Sequence, residues 1–228
     1  LTENLFIFGL ISYAYSTHNL EINPSKRNIF IAFLSFIITF TSRYIGGYLI
    51  IFNFYLIVKS FQNKNKNFKN LMTLFFFSLL YMGVYLFSNK YLTGFVTYPH
   101  AYLTYEPSYE IILQFFKKIF EELNFIMASV RFSEVPIFSL VSYILSIIFF
   151  ITGFLYCKQQ EIKNFNLNKI ANNFISLSCL YLTIVLIWRL TIWFSPFSYR
   201  ILFPASILIF IGFAYKILSR TDINFRGI

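Results

Sequence analysis

Apolar residues occur along the chain in blocks long enough to cross a lipid bilayer. The clearest block is 135–156, which contains no charged residue, and a transmembrane helix needs about 20 consecutive apolar residues. Further blocks lie at 71–88, 174–194 and 201–218, and a shorter apolar run occupies 4–16. The pattern predicts an all-α fold, a polytopic helical membrane bundle of about 5–7 transmembrane segments in a single domain over residues 1–228.

The block 29–58 is interrupted by Arg43 near its middle. It is long for one span and short for two, because two full crossings need about 40 residues. It forms either one long tilted helix that buries Arg43, or two short helices with Arg43 and the Gly46-Gly47 pair at an outer turn. Burying an arginine in mid-membrane costs about 2.5–3.5 kcal/mol on insertion scales, unless a partner offsets it.

The run 4–16 is too short for a full span and begins almost at the first residue, which is Leu1 rather than Met. It has neither the basic flank nor the small-residue cleavage site of a signal peptide. We therefore expect that the chain is a fragment of a larger bundle and that upstream helices are missing.

The composition excludes the common soluble classes. Of the 228 residues, 57% are apolar and 12% are charged, whereas soluble domains average about 45–50% and 25%. The net charge of +10 would point to nucleic acid in a soluble chain. Here most lysines lie in short loops between apolar blocks, so membrane topology explains the excess. We expect membrane lipids as partners and no nucleic acid.

The positive-inside rule gives one consistent path through the membrane. Lysine-rich segments at 59–70, 157–170 and the C-terminal tail lie in the cytoplasm. The outer side then receives the turn at 195–200 and the long loop 89–134. The C terminus is predicted to be cytoplasmic.

Three arginines fall at or near the outer boundary on this path: Arg43, Arg189 and Arg200. A guanidinium presents a planar fork of donors that matches phosphate and carboxylate oxygens. Together they could bind a lipid diphosphate or an acidic sugar. The alternative for Arg189 and Arg200 is ordinary snorkelling of an arginine near a helix end, with no ligand.

The outer loop carries the candidate catalytic groups Glu106, Glu110, Glu134 and His100, any of which could take a proton from a sugar hydroxyl. The alternative for each is a solvated surface group. Tyr98 and Tyr105 belong to a tyrosine series that could stack on sugar rings or form an interfacial aromatic belt. The pairs at 117–118 and 121–122 have the spacing of an amphipathic helix lying on the membrane.

The chain lacks the sequence motifs of nucleotide-binding proteins, metalloproteases and serine hydrolases, and its two cysteines have no metal-ligand spacing. We expect neither a metal nor a cofactor. The apolar blocks contain no Asp or Glu, so the acidic relay of an ion-coupled transporter is not visible.

The short-looped spans, the outer arginines Arg43 and Arg200, and the stretch Ser195-Pro196-Phe197-Ser198-Tyr199-Arg200-Ile201-Leu202-Phe203-Pro204 resemble the polytopic proteins of bacterial surface-polysaccharide assembly. These are the O-antigen and exopolysaccharide polymerases and the lipid-dependent (GT-C type) glycosyltransferases. The resemblance implies location in a bacterial inner membrane. It also implies transfer or polymerisation of sugars from a polyprenyl-phosphate carrier on the extracytoplasmic face.

Two other classes of protein stay open. One is a non-catalytic membrane subunit or scaffold of a larger complex, since the use of Phe, Ile, Asn, Lys and Tyr corresponds to A/T-rich codons, as in some organelle genomes and many bacteria. The other is a lipid or polysaccharide exporter.

Overall fold

The computed structural model describes residues 2–62, 67–96, 102–103, 106–124, 136–193 and 199–221. Within these ranges the chain is built from α-helices, apart from one 3-10 turn and two strands of two residues, which confirms the predicted all-α class. The helices are α1 (Thr2–Ile22), α2 (Lys26–Ser42), α3 (Tyr48–Gln62), α4 (Phe68–Thr93), α5 (Ser108–Glu122), α6 (Pro136–Gln159), α7 (Phe165–Thr191) and α8 (Tyr199–Leu218). The 3-10 turn is Tyr44–Gly47, and the strands are β1 (Tyr102–Leu103) and β2 (Ile192–Trp193).

Five helical segments of the described residues are long and apolar enough to cross a membrane: Tyr44–Gln62, Phe68–Thr93, Val141–Gln159, Phe165–Thr191 and Ile201–Leu218. Helices are suited to this because every backbone donor and acceptor is satisfied inside the segment, where no water is present to bond it. The protein is therefore a multi-pass integral membrane protein, within the predicted range of spans.

The chain divides into two compact units, Leu1–Leu103 and Thr104–Ile228. In the first unit α1 and α2 are antiparallel, since Gly9 lies against Thr39. The α3–α4 pair is antiparallel as well, because Phe61 contacts Phe68 at one end and Gly47 lies near Met82 at the other.

Helices α2 and α4 run in the same direction. The ring of Phe33 contacts that of Phe77, and seven residues later Phe40 contacts Tyr85. Successive helices of the first unit therefore alternate in direction, as an up-down-up-down bundle does.

The block 29–58 takes the two-helix form. Helix α2 ends at Ser42, and Arg43 has an extended backbone with φ −154° and ψ 127°. The N–H of Gly46 donates to the Arg43 carbonyl at 2.8 Å. A Cβ on Gly46 would lie 2.8 Å from the Thr39 carbonyl oxygen, so only glycine allows the turn to fold back this closely onto α2.

The second unit is organised around the α7–α8 hairpin. The Tyr181 hydroxyl donates to the Ile201 carbonyl at 2.7 Å, and Ser178 donates to the Ala205 carbonyl at 2.8 Å, so the two helices are antiparallel.

Helix α6 runs parallel to α8. The ring of Phe150 stacks on that of Phe210, and the Arg220 side chain, just beyond α8, donates to the Cys157 carbonyl at 2.7 Å. The first turns of α6 and α8 therefore lie at the same end of the unit as the last turn of α7.

Helix ends depart from the ends of the apolar blocks because local backbone chemistry sets them. Helix α4 continues past residue 88 to Thr93 and ends at Gly94, whose φ of 78° terminates the helix. Helix α7 begins at Phe165, well before the block 174–194, where the Asn164 side chain accepts the Leu167 N–H at 3.1 Å.

Apolar side chains cover much of the outer surface of these helices. Phe76 and Phe87 on α4 and Phe154 on α6 are all exposed within the chain. Exposed aromatic surface of this extent is unfavourable in water but is covered by acyl chains in a bilayer. Membrane lipids are thus contacts of the protein.

Candidate functional site

Most of the described basic residues of each unit lie at one end. In the first unit Lys26, Arg27, Lys59 and Lys69 lie where α1, α2, α3 and α4 begin or end. Arg43 and Lys90 lie at the opposite end. In the second unit Lys158, Lys163, Lys169, Lys216 and Arg220 lie at the end formed by the α6–α7 loop and the C terminus of α8. Arg189 lies at the opposite end, in the last turn of α7.

Arg189 and Glu106 form an ion pair at that opposite end of the second unit. Arg189 Nη2 lies 2.6 Å from Glu106 Oε1, and the two side chains are 1% and 34% exposed. A guanidinium removed from solvent is stable only when an anion and further contacts compensate for its lost hydration. The carboxylate supplies the negative charge and keeps part of its own surface open.

Local chain geometry places Glu106 there. It precedes Pro107, which occupies the N-cap position of α5, and the Glu110 N–H donates to the Pro107 carbonyl at 3.0 Å. Ile111 and Phe115 on the first turns of α5 are buried. Because α5 is anchored in this way, Glu106 is held at its N-terminal end rather than on a free loop.

Arg43 forms the corresponding pair in the first unit. Its Nη2 lies 3.0 Å from Glu3 Oε1, with side-chain exposures of 23% and 35%. The guanidinium also lies 5.7 Å from the centre of the Phe6 ring, within range of a cation–π contact. The sequence patterns did not single out Glu3 as a partner of Arg43. An antiparallel pairing of α1 with α2 about the turn at 23–25 would have placed the two residues together.

Other predicted site residues are separate from these pairs. Glu110 accepts the hydroxyl of its neighbour Tyr109 at 2.9 Å. This hydrogen bond and the negative charge of Glu110 raise the pKa of the exposed Tyr109 above its ordinary value. Glu110 therefore makes a local contact within the first turn of α5.

The remaining predictions stay open. Arg200 lies in the first turn of α8, at the same end of the unit as Arg189, but its side chain is not among the described atoms. His100, Tyr98, Tyr105 and Glu134 lie outside the described residues.

The structure adds polar contacts that the sequence did not indicate. At the Arg43 end of the first unit, the Asn89 amide donates to the Tyr44 hydroxyl at 3.2 Å and to the Val96 carbonyl at 3.0 Å.

A further polar group lies in the second unit. There the buried Asn124 donates to Ser142 at 2.7 Å and accepts from Ser146 at 3.2 Å. These contacts hold the end of α5 to the second and third turns of α6.

The accessible group of the Glu106–Arg189 pair is the carboxylate, which is 34% exposed and can accept a proton from a hydroxyl. The guanidinium is 1% exposed and holds that carboxylate in place. Over the described residues, no group of three or more His, Cys, Asp or Glu is placed to hold a metal ion.

No protein-family model, no curated protein and no solved structure matches this chain.

Proposed function

We propose that the protein transfers or polymerises sugars from a polyprenyl-phosphate carrier on the extracytoplasmic face of a bacterial inner membrane. The observation that carries the proposal is the Glu106–Arg189 pair, in which a buried guanidinium holds a carboxylate that is one-third exposed. The pair lies at the end of its unit opposite the lysine-rich segments. The positive-inside rule assigns those segments to the cytoplasm, which is why we place the reaction on the outer side.

In the proposed reaction the acceptor hydroxyl oxygen attacks the anomeric carbon of the carrier-linked sugar. Glu106 takes the hydroxyl proton as the new glycosidic bond forms. The bond between the anomeric carbon and the carrier phosphate breaks, and its electron pair stays on the phosphate oxygen. Arg189, whose side chain is 1% exposed, holds the Glu106 carboxylate in position for this step through their ion pair.

The test uses the full chain in liposomes with a radiolabelled polyprenyl-diphosphate oligosaccharide, and measures glycan lengthening and carrier release. We expect Glu106→Gln to lower transfer by about 100-fold or more, since general base catalysis contributes that much. The matched control is Glu161→Gln, because Glu161 is exposed in the loop at the lysine-rich end of the same unit. Equal activity of the Glu106→Gln variant and the unmodified chain would contradict the proposal.

A second candidate function is that of a non-catalytic membrane subunit. It is favoured by the exposed aromatic faces of α4 and α6, which could contact other membrane proteins as well as lipids. A subunit tolerates Glu106→Gln without loss of surface glycan and co-purifies with fixed partners. The transferase loses glycan synthesis in that variant while still inserting in the membrane.

A further inference from the structure

Helix α5 has three distinct faces. With about 100° of rotation per residue, Ile111 and Phe115 share one face with Lys118 and Glu122. The two apolar residues of this face are buried in the unit. A second face carries polar residues: Glu110, Gln114, Lys117 and Glu121. The third face, here called the apolar stripe, spans an arc of about 100°. It consists of Tyr109, Ile112, Leu113, Phe116 and Phe120, which are between 39% and 70% exposed.

Both ends of α5 are attached in the half of the second unit that contains Arg189. Just before the helix, Glu106 binds Arg189 in the last turn of α7. Just after it, Asn124 binds Ser142 and Ser146, which lie in the second and third turns of α6. The helix therefore lies in the half of the unit nearer to its Arg189 end.

We propose that α5 is an in-plane interfacial helix whose apolar stripe inserts into the lipid leaflet at the Arg189 end of the unit. The neighbouring spans already place this unit in a bilayer, and an apolar face beside a charged face is the pattern of helices at the headgroup boundary. Tyr109, with its polar tip, suits that depth.

The insertion has a consequence for Glu106. The carboxylate lies two residues before α5, so the anchored helix holds it at the level of the lipid headgroups. A substrate carried on a membrane lipid reaches this depth without leaving the bilayer. The insertion itself does not depend on the proposed sugar transfer, and its test does not use activity.

The experiment places single cysteines in the full chain after Cys157→Ser and Cys179→Ser. The variants on the apolar stripe are Leu113→Cys and Phe116→Cys. The controls on the polar face are Gln114→Cys and Lys117→Cys. Each variant is labelled with a nitroxide and reconstituted in liposomes. Collision rates are measured with oxygen, which concentrates in lipid, and with a water-soluble nickel chelate. We expect the two stripe labels to lie about 5–10 Å below the headgroup boundary and the two polar-face labels to lie in water.

Two results would overturn the inference. Nickel-chelate accessibility at positions 113 and 116 equal to that at 114 and 117 would place the stripe in water. Protection of positions 113 and 116 from both reagents would place them against protein. Because all four positions are exposed within the chain, the labels do not displace buried side chains.

Discussion

The Arg189 guanidinium and the Glu106 carboxylate lie 2.6 Å apart although 83 residues separate them in the chain. Arg189 is among the largest fully buried side chains in the described residues. The pair joins the last turn of α7 to the start of α5. It thereby connects a membrane span to the N-terminal end of α5.

Loss of one partner of this pair should cost more than loss of both. We expect Glu106→Gln to lower the free energy of unfolding by about 1–3 kcal/mol, because a buried guanidinium then lacks its counter-charge. In Glu106→Gln/Arg189→Leu part of that loss should be recovered, because no unpaired guanidinium is then left buried. The measurement is reversible unfolding in mixed micelles, arranged as a double-mutant cycle. Additive effects of the two substitutions would show that the pair is not coupled.

The Glu3–Arg43 pair provides the comparison, since both of its side chains are partly solvent-accessible. Exposed ion pairs are worth about 0.2–1 kcal/mol. We therefore expect a smaller coupling energy from the same cycle with Glu3→Gln and Arg43→Leu. A coupling as large as that of the Glu106 pair would contradict the ranking by burial.

The close contact between Gly46 and the backbone of Thr39 should leave no room for an added methyl group. We expect Gly46→Ala to destabilise the unit by about 1–3 kcal/mol, because the new Cβ would meet the backbone of Thr39. Gly83→Ala is the matched control, since nothing lies within 4 Å of its Cβ position. The thermal stability of both variants is measured in detergent. Equal stability of the two variants would mean that the turn at Gly46 can move away from Thr39 to accept a methyl group.

The contribution of Glu122 to stability should decrease as pH rises past the carboxyl range. Burial, followed by the neighbouring charge of Glu121, raises the pKa of Glu122 above 4.5, and Lys118 opposes this. The folded state then binds more protons than the unfolded state, so stability is highest below the unfolded pKa and is lost as pH rises through the folded pKa.

Glu122→Gln removes this dependence. The variant should match the unmodified chain near pH 4 and exceed its stability near pH 7. Unfolding curves across this range test the sign. A variant that is less stable at neutral pH would contradict burial as the main cause.

The two ends of α2 should be accessible from opposite sides of the membrane. Lys26 and Thr41 are exposed and lie near the first and last residues of this helix. In chains lacking the native cysteines, Lys26→Cys should react with an impermeant maleimide only from the cytoplasm, and Thr41→Cys only from the exterior. Labelling of position 41 from the cytoplasm would place the end of the first unit that carries Arg43 on the inner side of the membrane. Arg43 could then not belong to a binding site on the outer side.

The sequence also predicted an amphipathic helix between Ile111 and Ala128, because charged pairs recur there at helical spacing, and the structure shows a helix over Ser108–Glu122. The sequence did not show which apolar residues are buried and which form the stripe. That division depends on the packing of α5 within the second unit, which leaves Ile111 buried and the adjacent Leu113 exposed.

The sequence by itself determined the all-α membrane fold, because a bilayer admits only segments that satisfy their own backbone, and blocks of about 20 apolar residues are visible without any structure. The sequence also predicted that Arg43, Arg189 and Glu106 lie outside the lysine-rich loops. Only the tertiary structure decided that the chain breaks at Arg43, that Glu3 binds Arg43 and that Glu106 binds Arg189. These outcomes depend on helix direction and register, through which side chains 40 or 83 residues apart come within hydrogen-bonding distance. No local pattern of residue types contains that information.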